Sequence, residues 1–332
     1  MVTVTLTLGY KASAEQFAPG ELLDLSVRAE ELGLDLVAVS DHYQPWRHTG
    51  GHSPAVLPWL GALGQRTRRV LMGTSVLTPT LRYRPAVIAQ AFATLACLSP
   101  GRIFLGAGTG EAMNETPTTG REWPGAKERR LRLAEAIELM RLLWTEERVT
   151  FEGDYYRTEL ATVYDRPDAP VPIYVAASGP LAARLAGSIG DGFICTSGKR
   201  LDLYDELLAA VEDGARDAGR DPSTIRHMIE IKVSYDHDAD YARDACRWWA
   251  ALSLTTEEKS GVDDPMELER LADAVADRAH TRFIVSSDPA EVAEGIREYV
   301  RRGFTDLVFH APGSDQVRFL EQFCADVVPL LR

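Results

Sequence analysis

The stretch Ser40-Asp41-His42-Tyr43-Gln44-Pro45-Trp46 brings an acid, an imidazole, an amide and an indole close together in sequence. It follows Leu36-Val37-Ala38-Val39, an apolar run too short for a helix and right for a strand buried on both faces. Polar groups just beyond such a strand lie at the edge where α/β barrels carry their chemistry. A histidine and a carboxylate from neighbouring strand ends form a natural base and acid pair, since environment can separate their pKa values. His42 alone reads more simply as a structural imidazole bonded to a backbone carbonyl.

Other polar residues collect in the same way after later apolar runs. They include Lys11 and Glu15, Ser75 and Thr78, then Thr109, Glu111 and Asn114, then Ser178-Gly179 and Thr196-Ser197-Gly198-Lys199. Each has an ordinary reading as well. Glu111 fits an acid near the first turn of a helix, and Ser178-Gly179 a helix cap or a small-residue turn offering amides to a phosphate. Trp46 fits a lid-packing aromatic, Lys199 a solvated lysine, and Lys259 one charge on a face with Glu257 and Glu258. Their convergence on one rim is what favours a functional site. No metal is expected. His48 and His52 are four apart, but Gly50-Gly51 between them disfavours a metal-binding helix.

These residues must be positioned by alternating strands and helices. The pattern predicts strands near Thr3–Leu8, Leu36–Val39, Arg69–Ser75, Ile103–Gly108, Ile173–Ala177, Gly192–Cys195, Met228–Val233 and Asp306–Phe309. Between them run helical stretches, among them Pro85–Leu98, Ala126–Trp144 and Pro289–Arg302, while residues 109–123 read as a loop. Alternation from end to end implies a parallel sheet with right-handed crossovers. Eight strands favour a closed (β/α)8 TIM barrel, and Gly9-Tyr10-Lys11-Ala12 lacks the G-x-G-x-x-G of a doubly wound sheet. The expected organisation is one domain over residues 1–332, with a hairpin excursion near 149–157 and an irregular helical insertion near 235–280.

Composition narrows the class. The 332 residues are 45% hydrophobic and 26% charged, ordinary for a globular protein with a large core. A net charge of −13 argues against a nucleic-acid groove or an anionic membrane surface, though a local basic pocket is compatible with it. Cys97, Cys195, Cys246 and Cys324 lie far apart and read as reduced, mostly buried thiols of a cytoplasmic protein. No signal peptide or membrane-spanning run is expected.

Longer motifs carry a resemblance. Gly9-Tyr10-Lys11-Ala12-Ser13-Ala14-Glu15-Gln16-Phe17, Ser40-Asp41-His42 with Gln44-Pro45-Trp46-Arg47-His48, and Gly73-Thr74-Ser75-Val76-Leu77-Thr78-Pro79-Thr80 are three of them. Pro85 to Thr94, Gly108-Thr109-Gly110-Glu111-Ala112, Gly192 to Lys199, and Leu307 to Gly313 continue the series almost to the end. The sequence resembles the F420-dependent glucose-6-phosphate dehydrogenase family, among the bacterial-luciferase-like barrels. The resemblance implies the deazaflavin coenzyme F420, with its ring near Asp41 and a bulge at Ser75-Val76 that holds a non-proline cis peptide. It implies that Thr78, Thr109, Asn114, Ser178, Gly179 and Thr196 hold the ring and its phosphate-bearing tail.

By the same resemblance, His42 is the base for the anomeric hydroxyl, and Trp46 lies beside the developing charge. Glu111 is the acid serving the reduced ring, and Glu15 a second acid. Lys199, Lys259 and Arg282 grip the sugar phosphate, two point charges and one planar fork converging on an anion. A homodimer is implied too. Ser260 stands where the family has histidine, Ala251 where it has proline and Ser178 where it has glycine, and the loop from Glu115 to Trp123 is about one residue shorter. Three of these departures fall where the sugar is handled, so other sugar 6-phosphates are expected beside glucose 6-phosphate. The competing class is a monooxygenase using FMN or F420 on the same barrel, against which the three cations stand.

Overall fold

The structure, a computed structural model, describes residues 6–259 and 261–332. Ser260 and the start of the first expected strand, at Thr3, lie outside the described residues.

Eight parallel strands close into a barrel, joined by helices on the outside. They are β1 (Thr7–Ala12), β2 (Leu36–Val39), β3 (Leu71–Thr74) and β4 (Ile103–Ala107). A hairpin, β5 (Val149–Glu152) with β6 (Arg157–Ala161), interrupts the series. Then come β7 (Ile173–Ala176), β8 (Gly192–Thr196), β9 (Arg226–Tyr235), the short β10 (Ile284–Ser286) and β11 (Asp306–His310). Around the barrel the order is β1-β2-β3-β4-β7-β8-β9-β11, and β11 pairs back onto β1. β9 is longer than its neighbours and forks. Met228 to Lys232 pair with β11, and Val233 to Tyr235 pair with β10.

The local sequence explains the elements. β2 is buried along its whole length, as a strand covered on both faces must be. The helix Pro289–Arg302 buries Val292, Ala293, Ile296 and Tyr299, a three-and-four spacing. Asp288 caps its start by accepting from the Ala290 amide at 2.8 Å, and Gly303 ends it at φ 106°. Outward strand residues such as Tyr10, Phe193 and Phe309 pack under the helices in the main core, where Phe309 meets Phe323 of helix Gln316–Asp326. Inward residues form a second, smaller core of Leu36, Ala38, Phe104, Ile194, Met228 and Val308, which fills the barrel below its mouth.

Several boundaries move. Among the described residues β1 runs from Thr7 and continues past Leu8 to Ala12, pairing with β11 and β2. Lys11 is therefore a strand residue, not a loop residue. The supposed loop 109–123 contains a helix, Ala112–Thr119, whose threonines, internal Pro117 and closing Gly120 at φ 63° disguise it. The hairpin runs to Ala161, and Cys97 is exposed. The expected insertion forms as helix Ala239–Asp244, 3-10 turns over Ala245–Ser253, helix Pro265–Asp273 and further 3-10 turns over Ala276–Arg282. It has its own small core, built from Cys246, Ala250, Ala251, Leu254, Leu268, Ala272 and Ala279. Met113 joins that core and Trp46 packs against it, so the insertion sits on the loops after β2 and β4.

Candidate active site

The C-terminal ends of the barrel strands surround a cavity of about 490 Å³. Glu15, Asp41, His42, Trp46, Ser75, Val76, Thr78, Thr109, Glu111, Asn114, Ser178, Thr196, Lys199, Lys259 and Arg282 all line it. Gly179 does not. It is the cap residue of helix Pro180–Ile189, whose first turn borders the cavity through Ala182. Among the described residues no cluster of side chains suits a metal.

His42 follows β2 and meets Glu15, which follows β1. Its Nε2 lies 3.4 Å from Glu15 Oε1. The other oxygen of Glu15 accepts from Ser40 Oγ at 2.6 Å, and that oxygen in turn accepts the Ala14 amide. The acid is fixed before it meets the imidazole. Trp46 stands 6.3 Å from His42 between ring centroids and carries Lys259 Nζ over its face at 5.2 Å. An imidazole, an indole and an ammonium are thus neighbours in the mouth.

Asp41, next to His42 in the chain, is buried. Its carboxylate binds Arg82 Nη2 at 2.8 Å and accepts from the Tyr83 hydroxyl at 3.3 Å. Arg82 also serves Glu115, which takes its backbone amide at 2.8 Å. Burial pushes both carboxyls up, since one guanidinium is shared between two acids. Asn114 spends its carbonyl on the Tyr43 and Gln44 amides, at 2.7 and 2.9 Å, and so holds the loop that carries His42. Only its Nδ2, 3.5 Å from Glu111 Oε2, remains to face a ligand.

Lys199, from the end of β8, meets Lys259 and Arg282 from the insertion. Burial pushes the Lys199 ammonium below the ordinary lysine value, and Arg282 and Lys259 push the same way. Such a trio repels itself when empty and is relieved by a polyanion.

Sequence reasoning named Lys11 but missed its charged partners deeper in the mouth. Lys11 Nζ lies 3.0 Å from Glu230 and donates to the Ser75 carbonyl at 2.5 Å. Glu230 also contacts His310 Nδ1 at 3.2 Å. Lys232 reaches the Ser197 carbonyl at 3.2 Å, and burial brings its pKa down to about 8. The alternation of Glu230, Lys232 and Ser234 along β9 was the available signal. The peptide between Ser75 and Val76 is cis, as the resemblance implied.

Comparison with known proteins decides the family. The luciferase-like monooxygenase family matches residues 2–306. An F420-dependent glucose-6-phosphate dehydrogenase of Intrasporangium calvum is 61% identical over 98% of this chain and 99% of its own. The chain belongs to the F420-dependent glucose-6-phosphate dehydrogenase family. A second member of that family, from Mycolicibacterium smegmatis, is 58% identical over 98% of each chain. Among solved structures, an F420-dependent secondary alcohol dehydrogenase with an F420-acetone adduct superposes with a TM-score of 0.93, at 36% identity and 99% coverage of both chains.

The cavity fits the family's cofactor. Gly108 lets the wall close on Val76, since a Cβ there would come within 2.7 Å of Val76 Cγ2. Beside it the first turn of helix Pro180–Ile189 offers the partial positive charge that suits a phosphate, with proline at the position where an amide would be orphaned. Ser75, Val76, Thr78, Thr109 and Ser178 line the cavity and would be available to hold it.

Proposed function

We infer that the enzyme oxidises C1 of glucose 6-phosphate, and of related sugar 6-phosphates, to a lactone with coenzyme F420 as acceptor. The observation that carries this reading is the Glu15–His42 pair facing, across Trp46, the cations Lys199, Lys259 and Arg282 in one cavity. When bound, F420 supplies a deazaflavin ring able to accept a hydride. The protein's own residues do the rest. His42 takes the proton of the anomeric hydroxyl as C1 is oxidised, and Glu15 steadies the imidazolium that results. Trp46 shields that charge from water, and Glu111 at the rim is the acid serving the reduced ring. The three cations grip the phosphate, remote from the reacting carbon, so that binding energy orients C1. The same reading includes a cytoplasmic homodimer; a monomeric mass by light scattering overturns that part.

The test is F420 bleaching on addition of glucose 6-phosphate, with FMN and oxygen in a parallel assay. Turnover only with FMN and oxygen would favour a monooxygenase instead.

Lys199 gives the substrate affinity a pH dependence. Its folded pKa is lowered, so in the empty site it sheds its proton at a lower pH than a free lysine does. The KM for the sugar phosphate is expected to climb as pH rises toward the ordinary lysine value, and to stay level below. Lys199→Arg removes that alkaline limb, because a guanidinium stays charged throughout. An unchanged profile in the variant assigns the limb to another group.

A further inference from the structure

We propose that His310, held in one tautomer by Glu230, recognises a hydroxyl of the sugar ring through Nε2. The proposal rests on the sugar-phosphate reading above and adds a specificity residue to it.

His310 ends β11, two residues beyond inward-facing Val308, and so points into the barrel mouth. It is 3% exposed and lines the cavity, yet its Nε2 has no hydrogen-bond partner among the described residues. Buried polar atoms are rarely left so, and one that lines a cavity is best explained by a ligand group. The opposite nitrogen is occupied: Nδ1 lies 3.2 Å from Glu230 Oε1.

The protonation of that pair follows from its neighbours. Burial alone would raise Glu230, but the Lys11 ammonium at 3.0 Å, with His310 and Lys232, outweighs it and holds the carboxyl well below its usual range. A carboxylate has no proton to give, so the hydrogen is on His310 Nδ1. Burial also pushes His310 below its ordinary value, which keeps the ring neutral. Nε2 is then a lone pair. It can accept from a hydroxyl and cannot bind a phosphate oxygen, which is itself an acceptor.

Its position selects the sugar rather than the cofactor. The ring packs edge-on against Trp249, 4.5 Å away, and against Phe283 at 5.9 Å. Phe283 adjoins Arg282, so His310 stands under the wall that carries the phosphate cations. Trp249 is itself pinned by Gln16, whose Oε1 accepts from its indole at 2.9 Å while its Nε2 donates to the Pro312 carbonyl at 2.9 Å. Ring orientation is therefore fixed from three sides, the condition for discriminating one hydroxyl from its absence.

The experiment compares glucose 6-phosphate with its 2-, 3- and 4-deoxy analogues in the intact enzyme, in His310→Phe and in His310→Gln. F420 affinity is measured in each by fluorescence titration. Wild type is expected to lose about 10- to 100-fold in kcat/KM with one analogue. His310→Phe loses a similar factor with glucose 6-phosphate and nothing further with that analogue, a closed double-mutant cycle. His310→Gln, which keeps an acceptor near Nε2, retains part of the discrimination. F420 affinity stays within about two-fold. Equal losses with every sugar in both variants, or a wild type indifferent to all three deletions, overturn the proposal; the second result needs no variant to fold. A wild type inactive on every sugar phosphate overturns the underlying reading instead.

Discussion

His42→Ala is expected to lower kcat with glucose 6-phosphate by about 10²- to 10⁴-fold, the usual contribution of a general base, while F420 binds as before. The geometry separates the two effects. His42 contacts Glu15 and Trp46, whereas the residues proposed to hold F420 include Ser75, Val76, Thr78, Thr109 and Ser178. Glu15→Gln is expected to cost less than His42→Ala. It keeps the Ser40 contact and removes only the charge that steadies the imidazolium. Single-turnover absorbance of F420 checks both. A His42→Ala enzyme of near-normal kcat moves the base elsewhere, and lost F420 binding assigns His42 to the cofactor.

Arg82→Met is expected to destabilise the fold by about 3–5 kcal/mol, the cost of breaking a buried ion pair from one side. The side chains of Asp41 and Glu115 are 0% and 1% exposed, so neither acid can turn to water when the guanidinium goes. Protonating them is the remaining escape. Part of the lost stability should therefore return as pH falls, which denaturant unfolding at pH 7 and pH 5 would detect. Equal losses at the two pH values would show that the acids find other partners. Because Asp41 precedes His42 directly, a fall in kcat should accompany the loss of stability.

The barrel and most of its rim were legible because two signals reinforced each other. Short apolar runs such as Leu36–Val39 mark strands buried on both faces, and the polar residues after them fall at one edge. The deep cluster was not legible, for a geometric reason. Period-two alternation in His227-Met228-Ile229-Glu230-Ile231-Lys232 shows that Glu230 and Lys232 share a face. It does not show whether that face meets solvent or a barrel interior, and polar residues favour the bland choice. Arg82 was hidden differently. Nothing in Leu81-Arg82-Tyr83 announces that two acids converge on it, Asp41 from the loop after β2 and Glu115 from helix Ala112–Thr119. Helix Ala112–Thr119 was missed because tertiary packing of Met113, not local propensity, holds its threonine-rich turns in place.

The insertion's private core has a consequence for how the enzyme fails. Two of the three cations proposed to grip the phosphate, Lys259 and Arg282, belong to the segment closed around Cys246, Ala250, Leu254 and Leu268, while the residues proposed to hold F420 belong to the barrel. A small cluster of largely short side chains opens more readily than a barrel of interlocked strands, and segments with separate cores open as separate units. Substrate and cofactor are thus held by parts of unequal resilience. Under mild heat or dilute denaturant, amides in the insertion should exchange with solvent first. The warming enzyme then lets go of the sugar phosphate while the barrel still keeps its coenzyme.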